Sequence, residues 1–396
     1  MNSGVTYPRG FKAAGISCGI KKNNKKDLAL IYSDSTAVAA GLFTTNKVKS
    51  ASIIIDLKHL KKPNARAILI ISGNANTCTG KRGIRDSQAI VQSVAKSLSL
   101  KEKEILLAST GRIGIPLPLP KIIRAIPNLV NHLSKDSSSA AQAILTTDKR
   151  IKEASLATKI FGQGKREIRI GGMAKGAGMI GPNLATMLAF FTTDAVIEPA
   201  ALREALALAV RDSFNRITVD NEESTNDSAI ILANGEAKNR KIKKGTEDFR
   251  KFSFALNKVS LDLAKLIVAD GEGAEKVIEV KVKGAWCQKD ARRIAKTVAG
   301  SNLVKAAIAG SFPNWGRIMA ALGRARARVN PDLLDLWLGG ILVFSQGEIQ
   351  NYQEEKLREN LNKKEIKIEI NLYLGKSEAV AFGCDLTEEY VRINKE

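Results

Sequence analysis

Residues 171–194 read GGMAKGAGMIGPNLATMLAFFTTD, and the reading of this stretch decides much about fold and chemistry. Five glycines, Pro182 and Lys175 precede Ala185-Thr186, and the apolar run Met187 to Phe191 then reads as a buried strand. Ile168 to Ile170 predicts the strand that leads in. A glycine-rich approach to a hydroxyl at the mouth of a buried strand suits a nucleophile, and it suits a phosphate loop or a plain turn as well. Gly176, Gly178 and Gly181 match G-x-G-x-x-G, but Pro182 and a strand follow where a dinucleotide site needs a helix. Glycine content alone leaves these readings open.

The rest of the composition narrows them. With 396 residues and 44% hydrophobic content, the chain can bury a sizeable core, and two domains are expected. Cys18, Cys78, Cys287 and Cys384 lie far apart without a C-x-x-C pair, which argues against a zinc ribbon or a disulfide framework and for a reducing, cytoplasmic setting. Neither a signal-peptide pattern nor an apolar run long enough for a membrane span is seen. The net charge of +22 raises nucleic-acid binding, but the lysine clusters are short and aromatic residues make up only 5%. A lysine bias spread over solvated faces is the better reading. Only His59 and His132 occur, neither in site-like company, so a Ser-His-Asp arrangement and a histidine metal site are both disfavoured. Any nucleophile here needs another base.

Leu28–Tyr32, Ala67–Ile71 and Ile105–Ala108 predict strands, the last ending in Ser109-Thr110-Gly111. Small hydroxyl residues and a glycine at a strand end can hold an oxyanion, and can equally be a turn. The polar loop Ser72 to Gly80 leads to a helix that Asp86 is placed to cap, with Ile90, Val91, Val94 and Leu98 on one face. Pro116, Pro118 and Pro120 predict an extended segment. Pro199 opens a helix, and Asp220 to Asp227 forms an acidic loop that could take a cation or simply turn. A long helix with Phe252, Leu256, Val259 and Leu263 on its core face ends at Asp270-Gly271-Glu272-Gly273, which predicts an exposed Glu272. Ile278, Val280 and Val282 alternate as a half-buried strand.

Together these pieces resemble the ornithine (glutamate N-) acetyltransferases of arginine biosynthesis. The resemblance spans the chain: Pro8-Arg9-Gly10-Phe11, Gly41 to Asn46, Ser72 to Gly80, Thr146-Thr147-Asp148, Lys175-Gly176 to Leu188, Ser224 to Asp227, Asp270 to Ala274, and Pro313 to Ile318. It implies an α/β fold of two stacked sheets flanked by helices (αββα, amino-terminal-nucleophile-like) over about 1–280, with a smaller mixed α/β region at 281–396. It implies self-cleavage between Ala185 and Thr186 into an α chain (1–185) and a β chain (186–396), assembled as α2β2. The freed α-amino group of Thr186, with a reference pKa of about 7.7–8.0, is then the missing base for its own hydroxyl.

The implied reaction is ping-pong: Thr186 takes acetyl from N2-acetylornithine, releases ornithine and passes the acetyl group to glutamate. Thr110 and Gly111 match the oxyanion positions, and Thr146, Lys175, Thr186, Glu272 and Asn394 match substrate contacts. No metal or cofactor is implied, and acetyl-CoA is left open as a co-substrate. Two departures stand out. Only Lys395 and Glu396 follow Asn394, where the family carries one more hydroxyl contact, and Phe312 replaces an acidic residue before Pro313. The alternatives are an amino-terminal-nucleophile amidase or aminopeptidase, in which water is the acceptor, and a basic nucleic-acid-binding protein.

Overall fold

The computed structural model describes residues 4–160, 166–181 and 187–395. By compactness the chain divides into two units. The first comprises Met1–Gly176, Asn183–Asn215 and Glu223–Ile267; the second comprises Ala177–Pro182, Arg216–Glu222 and Val268–Glu396.

The first unit is built on strands β1 (Phe11–Ile16), β2 (Leu28–Phe43), β3 (Asn64–Asn74), β4 (Ile105–Arg112), β5 (Lys152–Ile160), β6 (Arg166–Lys175) and β7 (Leu188–Thr193). After β8 (Ile217–Thr218), which belongs to the second unit, β9 (Ser228–Ala233) completes it. Among the described residues the strands bond in the order β4-β3-β2-β9-β7-β6-β5, with β1 beside β2. The long β2 serves two halves: Leu28–Tyr32 pairs with β3, Val38–Phe43 pairs with β9, and the register shifts between Tyr32 and Ala37. Ser33-Asp34-Ser35 breaks the apolar run there, which is why the sequence reading ended the strand at Tyr32.

The two halves face one another. Ile68, Ile70, Leu106 and Ala108 of β3 and β4 share a core with Met173, Leu188, Phe190, Ile230 and Leu232 of β6, β7 and β9. The alternate residues Ala67, Leu69, Ile71, Ile105 and Leu107 point the other way, as a two-residue period requires. They pack on α1 (Ala51–His59), α2 (Gly80–Leu98) and α3 (Leu119–Asn131) through Ile55, Ile90, Val94, Ile122 and Ile126. The short α4 (Ser138–Ala143) buries its alanines in the inner core. On the far face lie α5 (Pro199–Asp212) and α6 (Glu247–Ala269), with Leu263 of α6 against Gly172. These are the expected αββα layers. Gly171 and Gly172 belong to β6 itself, and Gly171 lets the backbone of Gly4 approach closely.

The second unit has β10 (Val277–Ala285), β11 (Asp335–Leu338), β12 (Ile341–Ser345), β13 (Glu348–Ile349), β14 (Glu365–Asn371) and β15 (Ser377–Cys384), in the order β13-β12-β11-β14-β10-β15-β8. Its core joins Ile278, Val280 and Val282 to α7 (Gln288–Ala299), α8 (Asn302–Ala309), α9 (Trp315–Gly323) and α10 (Glu354–Leu361). Ile318, Ala321 and Leu322 of α9 are used in that core. Phe312 is exposed, with the Arg358 guanidinium 5.9 Å from its ring. A last helix, α11 (Glu388–Ile393), ends the fold.

Local expectations fail at three further places. Helix α2 begins at Gly80, so Asp86 is inside it, with an oxygen 3.6 Å from Arg82, and Asn76 reaches in to bond the Gly83 carbonyl and Ser87. The segment after Pro118 is not extended: Pro120 sits in the first turn of α3, where a missing N–H costs nothing. Glu272 is buried rather than exposed.

Candidate active site

In the first unit, parallel pairing of β3 with β4 sets Gly73 opposite Gly111 and Ser72 opposite Thr110. Gly111 has φ +130°, and a Cβ there would drive into the Gly73–Asn74 backbone, so the close approach requires glycine. Thr110 is buried and Gly111 is exposed at the strand end. Lys175, the last residue of β6 and also buried, donates to Thr110 Oγ1 at 3.4 Å.

Asp148 organises this end of the sheet. Its carboxylate accepts the Gly176 N–H at 2.7 Å and the Thr146 N–H at 3.0 Å, and pairs with the fully buried Lys152 at 2.7 Å. Burial would raise its pKa, but the Lys175 and Lys152 ammoniums and the Lys152 and Gly176 N–H bonds hold it well below the usual carboxylate range. Asp148 therefore stays charged, balances two lysines and fixes the backbone on either side of Thr146 and Lys175. Lys21 steadies the approach to Thr146 by donating to the Ala143 and Leu145 carbonyls.

Asn226 ties a second set of segments together. Its amide nitrogen donates to the Ala75 carbonyl at 2.7 Å and the Ser109 carbonyl at 2.8 Å. Its oxygen accepts Thr77 Oγ1 at 2.8 Å and Thr225 Oγ1 at 2.6 Å. The loop before β9, the Ser72–Gly80 loop and the end of β4 are thus held by one side chain. The buried Asp227 follows; burial raises its pKa well above the ordinary carboxylate value, against the neighbouring Met187 and Ser224 N–H groups and Lys175.

In the second unit, Glu272 follows the end of α6. Its N–H bonds the Ala177 carbonyl at 2.9 Å, and its carboxylate accepts Asn394 Nδ2 at 2.9 Å. Gly178 lies flat against that carboxylate, and any Cβ there would overlap it. Asp220 accepts the Met179 N–H at 2.6 Å and the Tyr390 hydroxyl at 3.3 Å. Burial, then Asp220 and Glu272, push the Tyr390 hydroxyl up to about 12. Tyr390 thereby anchors α11, whose carboxy-terminal cap is Asn394.

A model of the ArgJ family matches residues 12–396. The chain is 46% identical to the arginine biosynthesis bifunctional protein ArgJ of Symbiobacterium thermophilum, covering 100% of this chain and 98% of that protein. It is 46% identical to the protein of the same name from Thermotoga neapolitana, with 98% of each covered. The chain belongs to the ArgJ family. Among solved structures, the arginine biosynthesis bifunctional protein ArgJ of Bacillus halodurans matches with a TM-score of 0.51 and 43% identity, over 52% of this chain and 97% of that one.

Of the positions that the ArgJ resemblance picks out, the structure brings Thr110, Gly111, Thr146 and Lys175 into one network in the first unit, and Glu272 with Asn394 into another in the second. Ala185 and Thr186 lie outside the described residues. Sequence reasoning gave no role to Asp148, Asn226 or Gly178. All three fall within the family motifs given above, and that was the available signal. Both histidines are structural: His59 Nδ1 is 2.7 Å from the Ile105 carbonyl and His132 Nδ1 is 2.8 Å from the Asn128 carbonyl. Among the described residues no helix is long and apolar enough to cross a membrane.

Proposed function

We propose that this ArgJ-family chain cuts itself between Ala185 and Thr186 and then transfers acetyl from N2-acetylornithine to glutamate through an acetyl ester on Thr186. The observation that carries the reading is the strand end at Thr110-Gly111 with the buried Lys175 3.4 Å from the threonine hydroxyl. A hydroxyl and a glycine N–H fixed by the sheet suit a developing oxyanion, and a buried ammonium suits an α-carboxylate.

In this reading the α-amine of Thr186 takes the proton of its own Oγ1 as that oxygen attacks the acetyl carbonyl. Thr110 and Gly111 hold the oxyanion, the proton passes to the departing N2 of ornithine, and acetyl-Thr186 remains. The amine of glutamate then attacks, and the same groups run the steps in reverse. Lys175 receives the α-carboxylate, with Thr146 beside it, and Glu272, held by Asn394, receives the ornithine ammonium. The fully covered curated relatives support the reaction class. The Bacillus halodurans chain, nearly all of it matched by 52% of this one, supports the cut, since its length fits the product 186–396 rather than the whole. The working assembly in this reading is α2β2.

Two measurements test it. Purified protein given acetylornithine should release ornithine rapidly only when glutamate is present; equal release without glutamate would sink the transferase reading, and acetyl-CoA in a parallel arm reports whether it also serves as donor. On denaturing gels wild type should run as two fragments and Thr186→Ala as one, with activity lower by on the order of 10⁴-fold or more. An uncut wild type removes the proposed base, and with it the mechanism.

A further inference from the structure

On the reading above, Lys175 and Thr146 receive the α-carboxylate of the substrate, and the two are held in different ways. Lys175 ends a strand, whereas Thr146 lies beyond the end of α4 on neither helix nor strand. Two charged side chains hold its peptide group instead. Asp148 accepts the Thr146 N–H at 3.0 Å, and the half-buried Lys21 donates to the Leu145 carbonyl, the other end of the same peptide.

We propose that Lys21 is a positioning residue for this carboxylate subsite, acting through Thr146 and only while its amine is charged. An ammonium has three protons to donate, and three backbone carbonyls take them: Lys26 at 2.8 Å, Ala143 at 3.2 Å and Leu145. The Ala143 carbonyl also accepts the Ser72 hydroxyl, and Ser72 lies opposite Thr110 in the pairing of β3 with β4. The Ser72 N–H in turn bonds the Asp27 carbonyl at 2.9 Å. The stem of Lys21 covers Gly73, where a Cβ would sit 3.1 Å from the lysine Cγ, and Gly73 lies opposite Gly111. One side chain thus fastens the end of α4, and Thr146 with it, to the strands that carry Thr110 and Gly111.

A neutral amine cannot make the same three bonds. It has two N–H donors and a lone pair, which would face a carbonyl oxygen. Burial lowers the pKa of Lys21 to about 8; Asp27 and Asp148 oppose this, and Lys175 and Lys25 add to it. Neither carboxylate is free to close on the ammonium. Asp27 is taken up by the Cys18, Ile20 and Lys21 N–H groups, and Asp148 by Lys152, Gly176 and Thr146. As pH rises through the Lys21 pKa, one carbonyl loses its donor and Thr146 loosens, while the backbone pairing of β3 with β4 is unaffected. The consequence is weaker substrate binding rather than slower chemistry.

Steady-state ornithine release is measured for wild type, Lys21→Met and Lys21→Arg at pH 7, 8 and 9 with glutamate saturating. The carboxylate and the side-chain ammonium of acetylornithine titrate outside this window, and the Thr186 and glutamate amines titrate alike in all three proteins. The KM of Lys21→Met for acetylornithine should lie about tenfold above wild type at pH 7 and only about twofold above it at pH 9, because wild type loses the same charge, with kcat little changed. Lys21→Arg stays charged, so its KM at pH 9 should remain within about threefold of the wild-type value at pH 7. A gap between Lys21→Met and wild type that does not narrow with pH assigns Lys21 to packing and overturns the proposal. So does a Lys21→Met KM within about twofold of wild type at pH 7. If circular dichroism shows that Lys21→Met does not fold, Lys21→Arg decides: a KM that rises with pH in step with wild type overturns the proposal. Failure of both variants to fold makes Lys21 a folding residue and overturns it too. A wild type that releases no ornithine at any pH removes the transferase reading, and this proposal with it, and is told apart from every outcome above.

Discussion

The two clusters of candidate residues are held by different means. In the first unit, Thr110, Gly111 and Lys175 sit at the ends of strands whose register is set by backbone pairing over whole strands, and buried charges hold the network around Asp148. In the second unit, Glu272 and Asn394 sit just beyond helix ends, and a few side-chain bonds hold them: Asn394 to Glu272, Thr387 to the Gly273 carbonyl, and Tyr390 to Asp220. A strand end is placed by the sheet and forgives side-chain changes but not backbone ones. A helix end placed by side chains should yield locally and leave the fold standing. On the proposed mechanism, a position fixed by the sheet suits Thr110 and Gly111, where small displacements are costly.

The sharpest way to break this contrast is Gly111→Ala. The residue is in the left-handed region at φ +130°, and the added methyl meets the Gly73–Asn74 backbone, which cannot swing aside as a side chain could. We expect unfolding free energy to fall by roughly 2–4 kcal/mol and kcat/KM by about 10²–10³-fold. Urea unfolding in the uncut Thr186→Ala background and steady-state ornithine release measure the two. A variant near wild type in both would show that the sheet does not fix this position.

Gly178→Ala is the counterpart in the second unit and should act more weakly. Its methyl would overlap the Glu272 carboxylate, the end of a side chain that can turn. The expected result is a KM for acetylornithine raised roughly tenfold, with kcat and the unfolding midpoint little changed. If stability falls as far as in Gly111→Ala, the second cluster is as rigid as the first and the contrast fails.

What the sequence showed and what it hid follow the same division. The strand Leu188–Thr193 and the helix Glu247–Ala269 were legible because apolar runs and helical spacing report burial directly. The glycine-rich stretch was read as an approach loop, yet Gly171 and Gly172 are strand, since glycine there marks a close backbone neighbour rather than a turn. Glu272 was expected to be exposed because glycines flank it, but those glycines leave room for packing: Gly273 lies against the backbone of Tyr390, and the nearby Gly178 lies against the carboxylate. Asp148 and Asn226 were invisible as hubs because each also binds far along the chain, Asp148 to Gly176, 28 residues away, and Asn226 to Ala75, 151 residues away, beyond any local pattern. The family motifs contained both, without saying why.

The smallest expected effect probes how the strand-built cluster is held from beneath. Asp56 of α1 is fully buried under β4, where one oxygen accepts the Leu107 N–H at 2.8 Å and the other has no partner among the described residues. Burial pushes its pKa well above the ordinary value, although the Leu107 bond opposes this. The folded protein therefore favours the protonated acid, whereas the unfolded chain releases that proton near about pH 3.9. The stability gained from the acid form is fully present below that pH and is lost as pH rises through the folded-state value. Asp56→Asn keeps the shape without the titration, so the stability of wild type relative to the variant should decline as pH rises. Urea unfolding of both chains, again with Thr186→Ala to prevent cutting, at pH 5, 7 and 9 measures that difference. A difference that is flat or grows with pH would mean that the Asp56 side chain ionises in place, paired by something other than the β4 backbone. The strand end at Thr110 would then rest on an ion pair, as the Asp148 network does, and not on the sheet alone.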